Sequence, residues 1–313
     1  MKRAFVFPGQ GSQAPGMGQV LAAAFPAARR LFDEVDDALS TPLSRLMFEG
    51  PESELTLTEN AQPALLAASL AVIRVLESEA GFDIARQAAY VAGHSLGEYS
   101  ALAAARALPV GVAARLVRRR GQAMQKAVPV GVGAMAALLG LDIDVAREVA
   151  EVAGQGEVCA VANDNCPGQI VVSGHRGAVE RAVALAAERG ARRSIMLPVS
   201  APFHCPLMSP AAAIMAEALA EVALEPPVVP LVANVTAAAT SNPDDIKKLL
   251  VAQVTRMVRW RESVLLFAEN GVEEVVETGA GRVLAGLVKR IDRTLSTVSV
   301  GTPAEVEALI QSL

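Results

Sequence analysis

Residues Gly93-His94-Ser95-Leu96-Gly97 constrain this chain more than any other stretch. They follow Tyr90-Val91-Ala92, which reads as a short buried strand, and they lead into helical spacing. The pattern G-x-S-x-G therefore falls where a strand turns sharply into a helix. So tight a turn needs small residues on both sides of the serine, and Gly93 and Gly97 supply them. Ser95 is then expected in a strained conformation, its hydroxyl exposed at the helix N-terminus, where the dipole and free N–H groups face any developing oxyanion. The bare pattern also fits a glycine-rich turn with an incidental capping serine; its placement between strand and helix favours a nucleophile.

The same strand–loop–helix grammar recurs. A strand over 3–7 runs into Pro8-Gly9-Gln10-Gly11-Ser12-Gln13, with helical spacing over 17–32. Alanine-rich helical sequence covers 63–79. Near the other end come a strand over 273–277, the loop Thr278-Gly279-Ala280-Gly281, a helix over 282–290 and a strand over 297–300. Repeated βα units imply a mostly parallel sheet with helices on both faces.

Between 128 and 198 the rhythm changes. The spacing predicts a strand (133–139), helix (144–153), strand (158–163), strand (169–173), helix (178–189) and strand (193–198). That β-α-β-β-α-β order is the split pattern of ferredoxin-like modules. The expected fold is thus α/β: a hydrolase-like large domain built from 1–127 and 199–313, and an inserted ferredoxin-like subdomain over 128–198. The cleft between them is the default binding site.

Composition narrows the possible functions. The 313 residues are 52% hydrophobic and 19% charged, a globular balance that excludes disorder. Cys159, Cys166 and Cys205 form no CxxC pair and leave an odd count, which argues against a disulfide framework and a thiolate metal site. A reducing, cytoplasmic setting is expected, with no metal. The opening Lys2-Arg3 precedes only Ala4-Phe5-Val6-Phe7, shorter than the ~7–15 apolar residues of a signal segment. The apolar stretches 65–73 and 101–117 are broken by Ser69, Arg74, Arg106 and Pro109, so no membrane span of ~18 residues is expected. A net charge of −5, 4% aromatic residues and no Lys/Arg-rich block leave nothing for tracking phosphates or stacking bases, so nucleic acid is excluded.

A serine nucleophile needs a base, and the chain offers three histidines. His94 adjoins Ser95, and the sharp turn should point it elsewhere. His175 follows Ser173-Gly174 and reads as a solvated turn before a helix. His204 remains, in a loop bracketed by Pro202 and Pro206 that includes Ser200 and can hold an imidazole rigidly. Its neighbour Cys205 reads as packing behind the loop. Arg118-Arg119-Arg120 alone reads as a solvated run at a helix end, and Gly279-Ala280-Gly281-Arg282 as a structural turn near the pocket, since one G-x-G lacks the dinucleotide fingerprint.

Together Gly9-Gln10-Gly11-Ser12-Gln13, Gly93-His94-Ser95-Leu96-Gly97-Glu98, Arg120-Gly121, Asn163, Gln169 and Phe203-His204 span nearly the whole chain. In this order they resemble the malonyl-CoA:acyl carrier protein transacylase family. The resemblance implies a malonyl transfer from malonyl-CoA to the phosphopantetheine thiol of acyl carrier protein, in ping-pong fashion through a malonyl-serine ester, supplying fatty acid synthesis. It implies Ser95 as nucleophile and His204 as general base, oriented by a main-chain carbonyl near Gln253. It places the backbone N–H groups of Gln10 and Leu96 in the oxyanion hole and the malonyl carboxylate on Arg120, whose planar guanidinium suits two parallel hydrogen bonds.

Phe203 matches a position that limits room at the acyl α-carbon, favouring malonyl over methylmalonyl. Met124, Met135 and Val283 match other pocket positions. Asn163 and Arg193, beside Arg192 at the cleft edge, are candidate contacts for coenzyme A or the acidic carrier. No cofactor is implied, malonyl-CoA being a substrate, and a monomer is expected. The alternatives are a malonyl transferase of a polyketide or malonate-degradation system, a serine thioesterase using water as acceptor, and a non-catalytic carrier-binding module.

Overall fold

The computed structural model describes residues 1–199 and 201–313; Ser200, four positions before His204 in the sequence, lies outside them. Ten strands are present among the described residues: β1 (Arg3–Phe7), β2 (Ala88–Gly93), β3 (Gly133–Leu139), β4 (Cys159–Cys166), β5 (Gln169–His175), β6 (Arg193–Met196), β7 (Leu231–Val232), β8 (Ala239–Thr240), β9 (Glu274–Thr278) and β10 (Ser296–Val300). They form a six-stranded sheet of order β10-β9-β1-β2-β7-β8 and a four-stranded sheet of order β4-β5-β3-β6. In the larger sheet every pairing is parallel except β7 with β8. In the smaller one all pairings are antiparallel. The order of that sheet is the ferredoxin-like one.

β1 is central because its residues are apolar on both faces. Phe5 and Phe7 enter one core with the helices Pro26–Leu39, Thr58–Ala80 and Val110–Ala127. Ala4 and Val6 enter the opposite core with Trp260, Phe267, Leu284 and Val288. Burying both faces of the central strand between helical layers is what fixes its place in the sheet.

Several elements differ from the sequence reading. The helical stretch over 17–32 is two helices, Gln19–Ala24 and Pro26–Leu39, because Phe25 before the proline takes an extended backbone and Pro26 starts a new helix. The helix Thr58–Ala80 has 23 residues, and its most apolar 18-residue window has a mean hydropathy of 1.2, so by length and composition alone it could cross a membrane, contrary to expectation. It is a core helix instead, with 83% of its most apolar window buried against neighbouring helices. Arg118, Arg119 and Arg120 stand inside the helix Val110–Ala127 and not at its end. His175 closes β5, and its Nδ1 accepts the Val158 N–H at 2.9 Å, so it is a strand-end partner and not a solvated turn.

β4 continues past residue 163 because it joins the small sheet to the large part of the molecule. The Asp164 N–H donates to the Val258 carbonyl at 3.0 Å, and the Val258 N–H donates to Ala162 at 2.9 Å. Arg261 Nε reaches both oxygens of the fully buried Asp164 carboxylate, at 2.9 and 3.1 Å. Asn165 Oδ1 lies 2.9 Å from His94 Nε2, which ties the small sheet to the turn that carries Ser95.

Candidate active site

The turn after β2 is built as its glycines require. A Cβ on Gly93 would stand 1.9 Å from the Gly97 carbonyl carbon, and one on Gly97 would stand 2.2 Å from the Phe7 carbonyl oxygen. Neither position tolerates a side chain, because the helix Gly97–Ala104 starts hard against the end of β1. Ser95 adopts φ 55°, the left-handed conformation expected of a strained turn serine. Asn234, just after β7, braces it from below: its Oδ1 accepts the Ser95 N–H at 2.8 Å, and its Nδ2 donates to the Gly93 carbonyl at 2.7 Å.

His204 also has a left-handed backbone, φ 58°, which lifts its ring toward the serine. Its Nε2 lies 2.8 Å from Ser95 Oγ, and its Nδ1 lies 2.8 Å from the Gln253 carbonyl oxygen. A carbonyl only accepts, so Nδ1 carries the proton and Nε2 is left to take one from the hydroxyl. Gln253 ends the helix Pro243–Gln253, and the last carbonyls of a helix lack an intrahelical donor. That free carbonyl is the one sequence left unassigned. Burial pushes the His204 imidazole down to about 3; the Arg120 charge acts in the same direction, and the Gln253 hydrogen bond opposes both.

Arg120 enters on the buried stripe of its helix, one turn before Met124, whereas Arg118 donates to Asn60 at 2.8 Å and Arg119 faces solvent near Glu217 and Glu221. The close approach at Gly121, where a Cβ would meet Glu59 Cα at 2.7 Å, lets two helices touch and brings Gln62 to the guanidinium. Nη1 donates to Gln62 Oε1 at 2.9 Å; Nη2 donates to Gln253 Oε1 at 2.8 Å and to Ser95 Oγ at 3.0 Å. Nε has no partner, and no carboxylate among the described residues stands within 4.0 Å. The side chain is 1% exposed, and burial lowers its proton affinity. A cation held in this way has no carboxylate in direct contact, Glu98 acting on it only through space.

Ser95, His204 and Arg120 open onto one cavity of about 330 Å³. Gln10 and Leu96 line it beside the serine, Met124, Met135 and Phe203 supply apolar wall, and Asn163 reaches it from β4. Three other sequence candidates are placed elsewhere. Val283 is 51% exposed and outside the cavity: as the first residue of the helix Val283–Ile291 it faces solvent, while Leu284 and Leu287 turn inward. Arg193 is exposed on β6 opposite Leu139, outside the lining. Gln253 does not reach the cavity wall; its side chain lies behind Arg120 and Ser95. The Gly279–Arg282 turn lines a different hollow, with Ser12 and Gly301. Cys205 is buried, its Sγ 3.2 Å from the Pro202 carbonyl, and burial raises its thiol, which suits packing. No group of three or more His, Cys, Asp or Glu among the described residues is placed to hold a metal ion.

Sequence reasoning gave no role to Asn234, Gln62, Asn165 or Glu98. Each acts across a long gap in the chain. Local signals were left by Gln62, a polar residue at the head of the apolar stretch of its helix, and by Glu98, which directly follows the turn glycine Gly97.

A hydroxyl with an imidazole to take its proton, a helix start beside it and a guanidinium for an acyl carboxylate suit acyl transfer. On this fold they define an acyltransferase. The acyl transferase domain family matches residues 4–310, and the chain belongs to that family. It is 49% identical over 313 residues to the malonyl CoA-acyl carrier protein transacylase of Bacillus subtilis (strain 168), covering 100% of this chain and 97% of that protein. The crystal structure of acyl-carrier-protein-S-malonyltransferase from Bartonella henselae superposes with a TM-score of 0.98 at 53% identity, over 100% of this chain and 99% of that one. A type II PKS acyl-carrier protein in complex with its malonyl-transacylase gives 0.96 at 42% identity, over 100% of both chains.

Proposed function

We propose that this protein transfers a malonyl group from malonyl-CoA to the phosphopantetheine thiol of acyl carrier protein, through a malonyl ester on Ser95, and so supplies fatty acid synthesis. The observation that carries the reading is Arg120, a buried guanidinium beside the serine with a free Nε and no carboxylate partner. A malonyl carboxylate supplies that partner, and a neutral acyl group does not.

Ser95 Oγ attacks the thioester carbonyl as its proton passes to His204 Nε2. The tetrahedral oxyanion is met by the backbone N–H groups of Gln10 and Leu96, where one such donor contributes ~2.7–4 kcal/mol. Collapse expels the coenzyme A thiolate, which takes the proton from His204, and malonyl remains esterified to the serine. The carrier thiol then yields its proton to His204 and attacks the ester. Collapse of the second oxyanion expels the serine oxygen, which recovers the proton.

Phe203 and the two methionines shape the space at the α-carbon. A methyl contact in such a pocket is worth ~1–3 kcal/mol, so malonyl is preferred over methylmalonyl without absolute exclusion. Asn163, on the cavity wall, is the better placed contact for the donor's pantetheine arm. The two sheets support dividing the chain into 1–127 with 199–313 and an insert over 128–198, the cavity lying between them. The same reading takes the protein as a cytoplasmic monomer that needs no cofactor, malonyl-CoA being a substrate.

Acceptor dependence tests the reading. With holo carrier present, the product is malonyl-carrier; without it, malonyl-CoA persists beyond the first turnover. Thioester loss at one rate with or without carrier supports the thioesterase instead.

A further inference from the structure

Gln253 serves the site twice. Its carbonyl holds His204, and its side-chain amide stands between Arg120 and Glu98. An amide has one accepting and one donating end, and here the two are not interchangeable. Oε1 accepts from Arg120 Nη2 at 2.8 Å, and Nε2 donates to the Ser95 carbonyl at 2.9 Å and to Glu98 Oε2. Turned over, donor would face donor at Arg120, and oxygen would face oxygen at Ser95 and Glu98.

Glu98 has the chemistry to fix that orientation. It sits in the first turn of the helix after Ser95, is 1% exposed and does not line the cavity. Its Oε1 accepts the Asn234 N–H at 2.7 Å, which leaves Oε2 for Gln253. Both neighbours are donors, so a carboxylate accepting at both oxygens fits the surroundings. An ion pair made directly between Glu98 and Arg120 would occupy the guanidinium donors that a substrate carboxylate needs. One interposed amide keeps a compensating charge close while leaving Nε free.

We propose that Glu98 is a positioning residue for acyl-group selectivity: through the Gln253 amide it holds the Arg120 guanidinium aimed at the carboxylate of the incoming malonyl group. The proposal rests on the function proposed above.

The test is Glu98→Gln, which keeps shape and volume but places an NH₂ where Oε2 accepts. Rates of Ser95 acylation by malonyl-CoA and acetyl-CoA are compared at about pH 9, since burial pushes the Glu98 carboxyl up to about 8 and the carboxylate prevails there. The expected result is a malonyl KM raised about 10- to 100-fold, with acetyl acylation changed less than about threefold. In a Gln253→Leu background, which keeps the carbonyl and removes the amide, Glu98→Gln should add less than about twofold. Equal losses for both acyl groups, or additive effects in the double variant, overturn the proposal. If Glu98→Gln yields no folded protein, Glu98→Asp, which keeps the carboxylate but draws it back from the Gln253 amide, carries the malonyl-against-acetyl contrast with the same two readings. Failure of the wild type to accept malonyl at all overturns the proposed function instead.

Discussion

Replacing His204 by alanine is expected to lower kcat/KM for serine acylation by ~10³-fold or more, the scale of a lost general base. The imidazole is the group placed to take the hydroxyl proton, with Nε2 at 2.8 Å from Ser95 Oγ and Nδ1 fixed on Gln253. Arg120 also touches that oxygen but is a donor with no site for a proton. Binding should survive, so KM for malonyl-CoA moves little while kcat collapses. The pH profile carries a second signature. Only neutral His204 is a base, and burial and Arg120 depress its proton affinity to about 3. The competent form therefore persists to lower pH than for an exposed histidine. The acid limb of kcat/KM should be absent between about pH 7 and 5 and emerge below, in contrast to a limb centred at about 6.5 for an ordinary imidazole. A limb near 6.5 would show that the ring is solvated in the working enzyme.

Arg120→Ala is expected to cut malonyl transfer by about 10²- to 10³-fold while acetyl transfer falls by less than about tenfold, as measured by kcat/KM for each donor. Two charge-assisted hydrogen bonds to the substrate carboxylate are lost in the first case and none in the second. Some loss for acetyl is expected because Arg120 Nη2 also donates to Ser95 Oγ. Arg120→Lys should recover only part of the malonyl rate: an ammonium keeps the charge but cannot span Gln62, Gln253 and a carboxylate with one planar fork. Equal losses for both acyl groups would mean that Arg120 maintains the serine and does not select the substrate.

What could be read from the sequence was what is local. The turn around Ser95 is written in Gly93 and Gly97, since each glycine answers a clash between neighbouring elements. β1 and β3 are delimited by apolar runs between turn residues and emerge over the expected ranges. His204 was reachable by elimination among three histidines. Arg120 stood out from its run only through family resemblance, although the buried stripe through Ala113, Val117 and Met124 places it on the inner face. The braces were not legible: Asn234 meets Ser95 across 139 positions and Gln253 meets it across 158. β7 and β8, of two residues each, are too short for any periodicity to register. Val283 was misplaced because a strand–loop–helix junction predicts that a helix begins, but not how far its first residue is rotated from the cavity. The apolar stretch over 65–73 reads as interrupted at Ser69 and Arg74, yet a buried serine breaks neither the helix Thr58–Ala80 nor its apolar surface.

The account turns on a covalent malonyl-serine, and intact-protein mass after brief mixing with malonyl-CoA tests it most directly. Wild type should gain one malonyl group and lose it when holo acyl carrier protein is added, whereas Ser95→Ala should gain none. Consumption of malonyl-CoA by the wild type with no adduct at any time, at a rate indifferent to the carrier, would contradict the ping-pong transferase.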